Sequence, residues 1–344
     1  MPGVVTPENV RDLVAATLRD LGRLHFQQVA QTIQNYEVFS KWFKEDKVQI
    51  DSGIGIQRTL MTSLSRRASH VGLFEETQIS IPDLMRQLQI PWRFAQTHWA
   101  WEYREILMNR GQALIFNVIK PRRADAMISL AEELEEKAWS APTVDQTHLP
   151  YGIPYWVVKN NTEGFNGGLP ADHTTVAGIN LDQNPTFKNY TNSYSVVSKS
   201  DLIPKMRTAK RKTKFISPVT VDDYTNGPGE QYRIYVNEQT MTDLENVGES
   251  QNENLGRDLA YAFNNLVFRN HPIIWIPQLD SDTDNPIYGI DHSKFYPVVL
   301  EGDFLRESEP MQDPRQHNVY QVFVDLTYNY LCVDRRCQWV LKKV

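Results

Sequence analysis

The chain has 344 residues, 41% of them hydrophobic and 23% charged, with a formal net charge of -6. That length and balance predict a sizeable packed core in one large domain or two ordinary ones, and they exclude an intrinsically disordered chain. The negative balance excludes a dedicated nucleic-acid-coating protein, which needs a basic surface, and no apolar run reaches the roughly 20 residues of a membrane span.

The opening MPGVVTPENV has no basic segment leading into an apolar core, so no signal peptide is read and a soluble, intracellularly made protein is expected. Thr6-Pro7-Glu8 is a helix start: a hydroxyl cap, proline at the first helical position, then an acid at the positive end of the dipole. Leu13, Leu21, Leu24, Ile33 and Tyr36 then recur at spacings that predict one or two amphipathic helices over about residues 7 to 45.

From Val48 to Ile81 the pattern changes to alternation. The stretches VQIDSGIGIQRTLMT and HVGLFEETQIS, joined by the basic tip SLSRRAS, predict a long β-hairpin with little core of its own. A helical block is expected from Thr97 to Trp139, with Ala124, Met127, Ala131, Leu134 and Ala138 on one apolar face. Pro121 either kinks that helix or starts a second one, and Glu132, Glu133, Glu135 and Glu136 form the solvated face.

Residues 148 to 196, rich in Gly, Pro, Asn and Thr, predict loops. A basic helix over 201 to 214, a strand and helix in EQYRIYVNEQTMTDLENV, and a strand in PIIWIPQL follow. At the end, Tyr320, Val322, Val324, Leu326, Tyr328, Tyr330 and Cys332 share one face while Gln321, Asp325, Thr327 and Asn329 take the other. The thirteen residues from Tyr320 to Cys332, with only Phe323 breaking the alternation, make a strand of roughly 40 Å, about twice the usual length. Cys332 and Cys337, an odd five residues apart, would point to opposite faces of a shared strand and are not expected to bridge.

Catalytic constellations are missing. The eight histidines are scattered without a His-Glu-x-x-His pair, and neither a phosphate-cradling Gly-x-x-x-x-Gly-Lys loop nor a Gly-x-Ser-x-Gly turn occurs. No catalytic residue, cofactor or metal site is assigned on this pattern. One stretch, DSDTDNPIYGID, tests that reading. Asp280, Asp282 and Asp284 match the first three ligand positions of a calcium loop, and Asp291 falls at the twelfth. However, Asn285 stands where the sharp turn needs glycine, Pro286 follows it, and the preceding residues read as a strand rather than a helix. An exposed acidic turn is therefore favoured, with a metal-dependent hydrolase using Asp280, Asp282 and Asp284 as the alternative from another class.

Lys205, Arg207, Lys210, Arg211, Lys212 and Lys214 put six cations within ten residues, which reads as a solvated helix face, a contact with a neighbouring acidic subunit, or a phosphate contact. Arg66 and Arg67 at the hairpin tip invite the same readings. The aspartates of the 280 to 284 turn are the candidate acidic counterpart. Trp92, Trp99, Trp101, Tyr151, Tyr155 and Trp156 are core residues or aromatic anchors of subunit contacts. Projecting arms without a catalytic signature suit an assembly component better than an enzyme.

The order of these elements resembles the major capsid proteins of tailed bacteriophages, whose shell fold is named after the phage Hong Kong 97. The likeness lies in ISIPDLMRQLQIPWRFAQTHWAWEYREILMNRG, YGIPYWVVKNNTEGFNGGLP, YRIYVNEQTMTDLENV and LTYNYLCVDRRCQWVL, which together span most of the chain. The resemblance implies an α+β fold with an N-terminal arm at 1 to 46, an extended hairpin loop at 47 to 90, and a peripheral domain with a long spine helix at 91 to 194. It further implies an axial domain at 195 to 290 and peripheral C-terminal strands at 291 to 344. Self-assembly into hexamers and pentamers of an icosahedral head is implied, with portal and scaffolding proteins, an optional decoration protein, and weak non-specific contact with packaged DNA. The bacterial encapsulin-like nanocompartment shell, which shares the fold, is the runner-up.

Overall fold

The computed structural model of the protein describes residues 33–65, 68, 70–73, 83–108, 112–215, 231–249, 259–262 and 265–344. Of the helices expected over 7 to 45, the part before residue 33 lies outside the described residues; the part inside forms α1 (Val38–Asp46). This helix is wound with the wider π pitch and buries Val38, Trp42 and Phe43 along one side. Strand β1 (Val48–Ile50) follows.

The hairpin is β2 (Gly55–Met61) against β3 (Met85–Pro91), in antiparallel register from Gly55↔Pro91 to Met61↔Met85. The sequence reading had its members wrong in two ways. Val48–Ile50 joins a larger sheet, and the strand that β2 pairs with is Met85–Pro91; residues 74–80 of the HVGLFEETQIS stretch lie outside the described residues. Leu88 and Ile90 form a buried base with Ile56.

Next come β4 (Arg93–Glu102), α2 (Tyr103–Met108) and α3 (Gln112–Ala138). Thr97–Glu102, expected as helix, is strand. Its alternation, with Thr97, Trp99 and Trp101 on one side and Gln96 and His98 on the other, serves a pairing and not a helical face. Helix α3 is continuous through Pro121, which neither ends it nor starts a second helix. The loop-rich stretch holds only the short α4 (Ile153–Trp156), a 3-10 turn at Pro185–Phe187, and β5 (Tyr190–Tyr194).

Helix α5 (Leu202–Lys212), β6 (Tyr232–Val236) and α6 (Glu238–Glu249) match the sequence reading closely. They are followed by β7 (Leu259–Ala262), β8 (Asn265–Phe268), β9 (His271–Trp275), β10 (Ile287–Asp291), β11 (Phe295–Leu300), β12 (Arg306–Glu307) and β13 (Met311–Asp313). Strand β14 (Gln316–Cys332) runs 17 residues, roughly 55 Å, and β15 (Trp339–Lys343) closes the chain.

Two sheets result. In the first, β14 is the axis: it pairs β4 from Val319↔Glu102 to Tyr328↔Arg93, β12 and β13 beside its first half, and β11 beside its last residues, with β1 parallel to β11. The second has seven strands in the order β5-β15-β10-β6-β9-β8-β7. Residues 291–344 therefore divide between the sheets. Strands β11 to β14 stay in the first, while β15 crosses to the second and lies between β5 and β10.

The apolar face of β14 is buried as its alternation predicts, with Val322, Val324, Leu326, Tyr328, Tyr330 and Cys332 all in the core. Thr327 and Asn329 on the opposite face are buried too. Asn329 is covered by neighbouring segments: its Oδ1 accepts from the Tyr151 amide at 2.9 Å and its Nδ2 donates to the Pro91 carbonyl at 2.7 Å. Cys332 and Cys337 are both buried free thiols.

Candidate assembly surfaces and the junction between sheets

The β2–β3 arm is held to its own chain from its base, at Gly53 and Trp92, to Thr62 just past its last paired residues. Gln89 N–H donates to the Ala177 carbonyl at 3.0 Å, and Thr62 Oγ1 donates to Asn184 Oδ1 at 2.7 Å. Thr186 Oγ1 donates to the Thr62 carbonyl at 2.5 Å, and Trp92 Nε1 to the Gly53 carbonyl at 2.8 Å. The loop-rich stretch between Val176 and Thr186 thus serves as a cradle for the arm. Met61 and Met85 on the paired strands, Leu64, Val71 and Leu73 past Thr62, and Ile54 near the base are exposed. Large apolar side chains gathered on a thin projection mark a surface that a partner covers. Arg66 and Arg67 lie outside the described residues.

The basic run sits on α5 with partners from its own chain. Lys205 Nζ lies 2.5 Å from Asp201, Lys212 Nζ 2.9 Å from Glu163, and Lys210 Nζ 3.0 Å from the centre of the Tyr232 ring. Arg211 Nε donates to the Arg207 carbonyl at 3.4 Å, and Lys214 is exposed. Salt bridges pull both Asp201 and Glu163 below the usual carboxylate range, chiefly through Lys205 and Lys212 respectively.

The acidic stretch does not converge on one point. Asp280 Oδ1 accepts from the Glu238 amide at 2.7 Å, at the start of α6, and the same carboxylate accepts from Trp275 Nε1. Asp282 and Asp284 grip Lys159 Nζ at 2.7 and 2.9 Å, with Lys342 Nζ 3.2 Å from the other oxygen of Asp284. Asp291 is buried elsewhere and accepts from Ser293 Oγ at 2.7 Å. Asp282 and Asp284 thus share one lysine, while Asp280 holds donors of its own. Among the described residues no group of three or more His, Cys, Asp or Glu is arranged to hold a metal ion. Asp282 and Asp284 hold a lysine ammonium where a hydrolase built on them would hold a metal ion.

The structure gathers charges at the junction of the two sheets that sequence reasoning missed. Trp42 of α1 is fully buried, and its ring meets five others: His292 at 5.1 Å, Trp139 and Phe295 at 5.6 Å, and Tyr235 and Tyr330 at 5.9 Å. Tyr235 belongs to the second sheet, Phe295 and Tyr330 to the first. Trp42 Nε1 donates to Tyr235 Oη at 2.9 Å, and that oxygen stands 2.8 Å from His292 Nε2. Arg233 of β6 lies 2.6 Å from Asp46 and 3.3 Å from Glu45, tying the end of α1 to the second sheet. Burial pushes Asp46 up despite Arg233, and burial with the Arg233 charge holds His292 neutral, well below its ordinary range. No alternation or spacing signals these partners, which come from segments nearly 200 and 250 residues apart.

No family model and no curated relative matches the sequence. Solved structures do. The capsid subunit of cyanophage A-1(L) aligns over 99% of this chain and 98% of its own, at 11% identity and a TM-score of 0.60. The fold is the Hong Kong 97-type shell fold. The capsid of Myoviridae phage XM1 covers both chains completely at 13% identity and a TM-score of 0.52. The SrpI encapsulin of Synechococcus elongatus aligns over 96% of this chain and 95% of its own, at 9% identity and a TM-score of 0.53.

Proposed function

We propose that the chain is the major capsid protein of a tailed phage, self-assembling into hexamers and pentamers that close an icosahedral head round double-stranded DNA. The observation that carries this reading is the end-to-end match of its fold to phage capsid subunits, from the extended arm to the last strand. The exposed apolar side chains of the arm support it, because a closed shell needs heterologous contacts that a compact subunit lacks area to provide. On this reading residues 1–46 are the N-arm, 47–90 the extended loop, 91–194 and 291–344 mainly peripheral, and 195–290 mainly axial. Portal and scaffolding proteins, and optionally a decoration protein, are the partners. The virion head is its destination after synthesis in the host cytoplasm. Arg66, Arg67, the cations of α5 and the 280 to 284 turn are candidate subunit contacts, and the protein has no catalytic role.

Likeness to the SrpI encapsulin favours a second reading, a nanocompartment shell that encloses protein cargo. Electron microscopy of the purified protein, alone and with a scaffolding protein, is expected to show closed shells. Monomers that persist across concentrations in both conditions would overturn the assembly reading. Nucleic acid inside particles made in the native host supports the phage, and a protein cargo the compartment.

A further inference from the structure

Two carboxylates from different elements are buried where α1 crosses α3. Glu37, the residue before α1, is 1% exposed, and Glu135 of α3 is 0% exposed. The sequence reading placed Glu135 on the solvated face with Glu132, Glu133 and Glu136. It was wrong there, because the buried stripe of α3 runs through Leu130, Leu134 and Ala138 and takes Glu135 with it. The Val38 amide donates to Glu135 Oε2 at 2.9 Å, and Lys41 Nζ lies 2.9 Å from Glu37 Oε2. Glu37 Oε1 is buried without a hydrogen-bond partner, while around Glu135, whose Oε1 is also buried, the Phe39 amide and the Trp139 side chain stand as further donors beside the Val38 amide. Beside them Tyr36 Oη donates to Glu132 Oε1 at 3.0 Å, and Asn35 Nδ2 donates to the Trp275 carbonyl at 2.8 Å.

Charges facing this pocket come from every element around it. Segment 36–41 supplies Glu37 and Lys41, α3 supplies Glu132 one turn back, β14 supplies Tyr330, and β6 supplies Tyr235 against Glu37. Both tyrosines are pushed far up by burial and stay neutral. Among the described residues Lys41 is paired with Glu37, and the groups bonded to Glu135 are neutral donors. Two full negative charges without water or a second cation are strongly disfavoured, and one proton removes the conflict.

We propose that Glu37 and Glu135 form a proton-binding site that latches residues 36–46 to the long helix, closed while one proton is held and loosened when it leaves. Both carboxylates belong to one subunit, so the latch stands or falls separately from the shell reading. Burial, with the Glu37 charge adding to it, pushes Glu135 up to about 7 from an ordinary value of 4.5. Between those two values the closed form holds a proton that the open form has lost. The closed state is thus fully favoured at low pH and loses that advantage as pH rises to about 7.

Amide hydrogen exchange at Val38 and Phe39, corrected for intrinsic pH dependence, reads the latch directly. Protection in the wild type is expected to fall roughly tenfold between about pH 6 and pH 8, while amides of β15 keep theirs. Glu135→Gln, whose amide oxygen still accepts from Val38, should abolish the step, and Glu37→Gln should move it to lower pH by removing the repulsion. Equal protection at both pH values in the wild type, or an unchanged step in Glu135→Gln, would overturn the latch. Should that variant not fold, infrared difference spectra of the wild type over the same range decide. Loss of a buried protonated carboxyl band supports the site, and an unchanged band overturns it.

Discussion

Arg335 is wholly buried with no carboxylate for company. Its Nε donates to the Trp156 carbonyl at 2.6 Å, Nη1 to the Phe187 carbonyl at 3.3 Å, and Nη2 to the Gly168 carbonyl and Asn189 Oδ1 at 3.2 and 3.1 Å. The guanidinium fork thus closes the loop-rich stretch around the turn that follows β14, and burial lowers its pKa to about 10. Lysine carries the charge but cannot reach four acceptors at fixed angles. Arg335→Lys should therefore cost about 3 kcal/mol, because buried carbonyls lose their donors. Urea unfolding measures this, and a loss below about 1 kcal/mol would mean that the carbonyls find other partners. At this scale the sequence was a poor guide. The spacing of Asp280, Asp282 and Asp284 was plain, but their destinations were not, since Lys159 stands more than 120 residues upstream. Nothing in a run of glutamates distinguished Glu135 from its neighbours.

At the scale of elements, local pattern carried most of the information. The alternation from Tyr320 to Cys332 predicted β14, and the basic amphipathic stretch predicted α5, because each signal lies within one segment. Strand β4 failed the same test. Its residues border a long helical run, and the partner that makes them strand, β14, lies some 220 residues downstream. The arm was legible as a hairpin, but the strand that β2 pairs with, Met85–Pro91, lies beyond the stretch read as its returning arm, and Leu88 and Ile90 are buried there with Ile56. Deleting residues 63–69 removes the exposed tip and spares the buried base at Ile56, Leu88 and Ile90. The shortened chain should keep wild-type circular dichroism and melting behaviour yet fail to form particles by light scattering. Unfolding of the shortened subunit would instead assign the tip to the core.

At the scale of the whole molecule, α1 is the piece that joins two sheets. Its Trp42 packs on Tyr235 of one and on Phe295 and Tyr330 of the other. Trp42→Ala leaves a cavity at that junction and should cost about 4 kcal/mol, in the range for a buried tryptophan. Hydrogen exchange should then report lost protection in both β14 and β15. Loss confined to one of them would show that the sheets open independently.

The sequence by itself determined the long helix past Glu102, α5, β6, α6, β9, most of β14 and the presence of a hairpin arm, because helical and strand periodicities are properties of neighbouring residues. The order of those elements was enough to suggest the shell fold. Only the tertiary structure decided that β15 leaves β14's sheet for the other, that Thr97–Glu102 is strand, and that Glu135 and Arg335 are buried. Those outcomes depend on backbone and side-chain groups finding partners far along the chain, and a buried charge is chosen by the pocket that forms around it rather than by its neighbours in sequence.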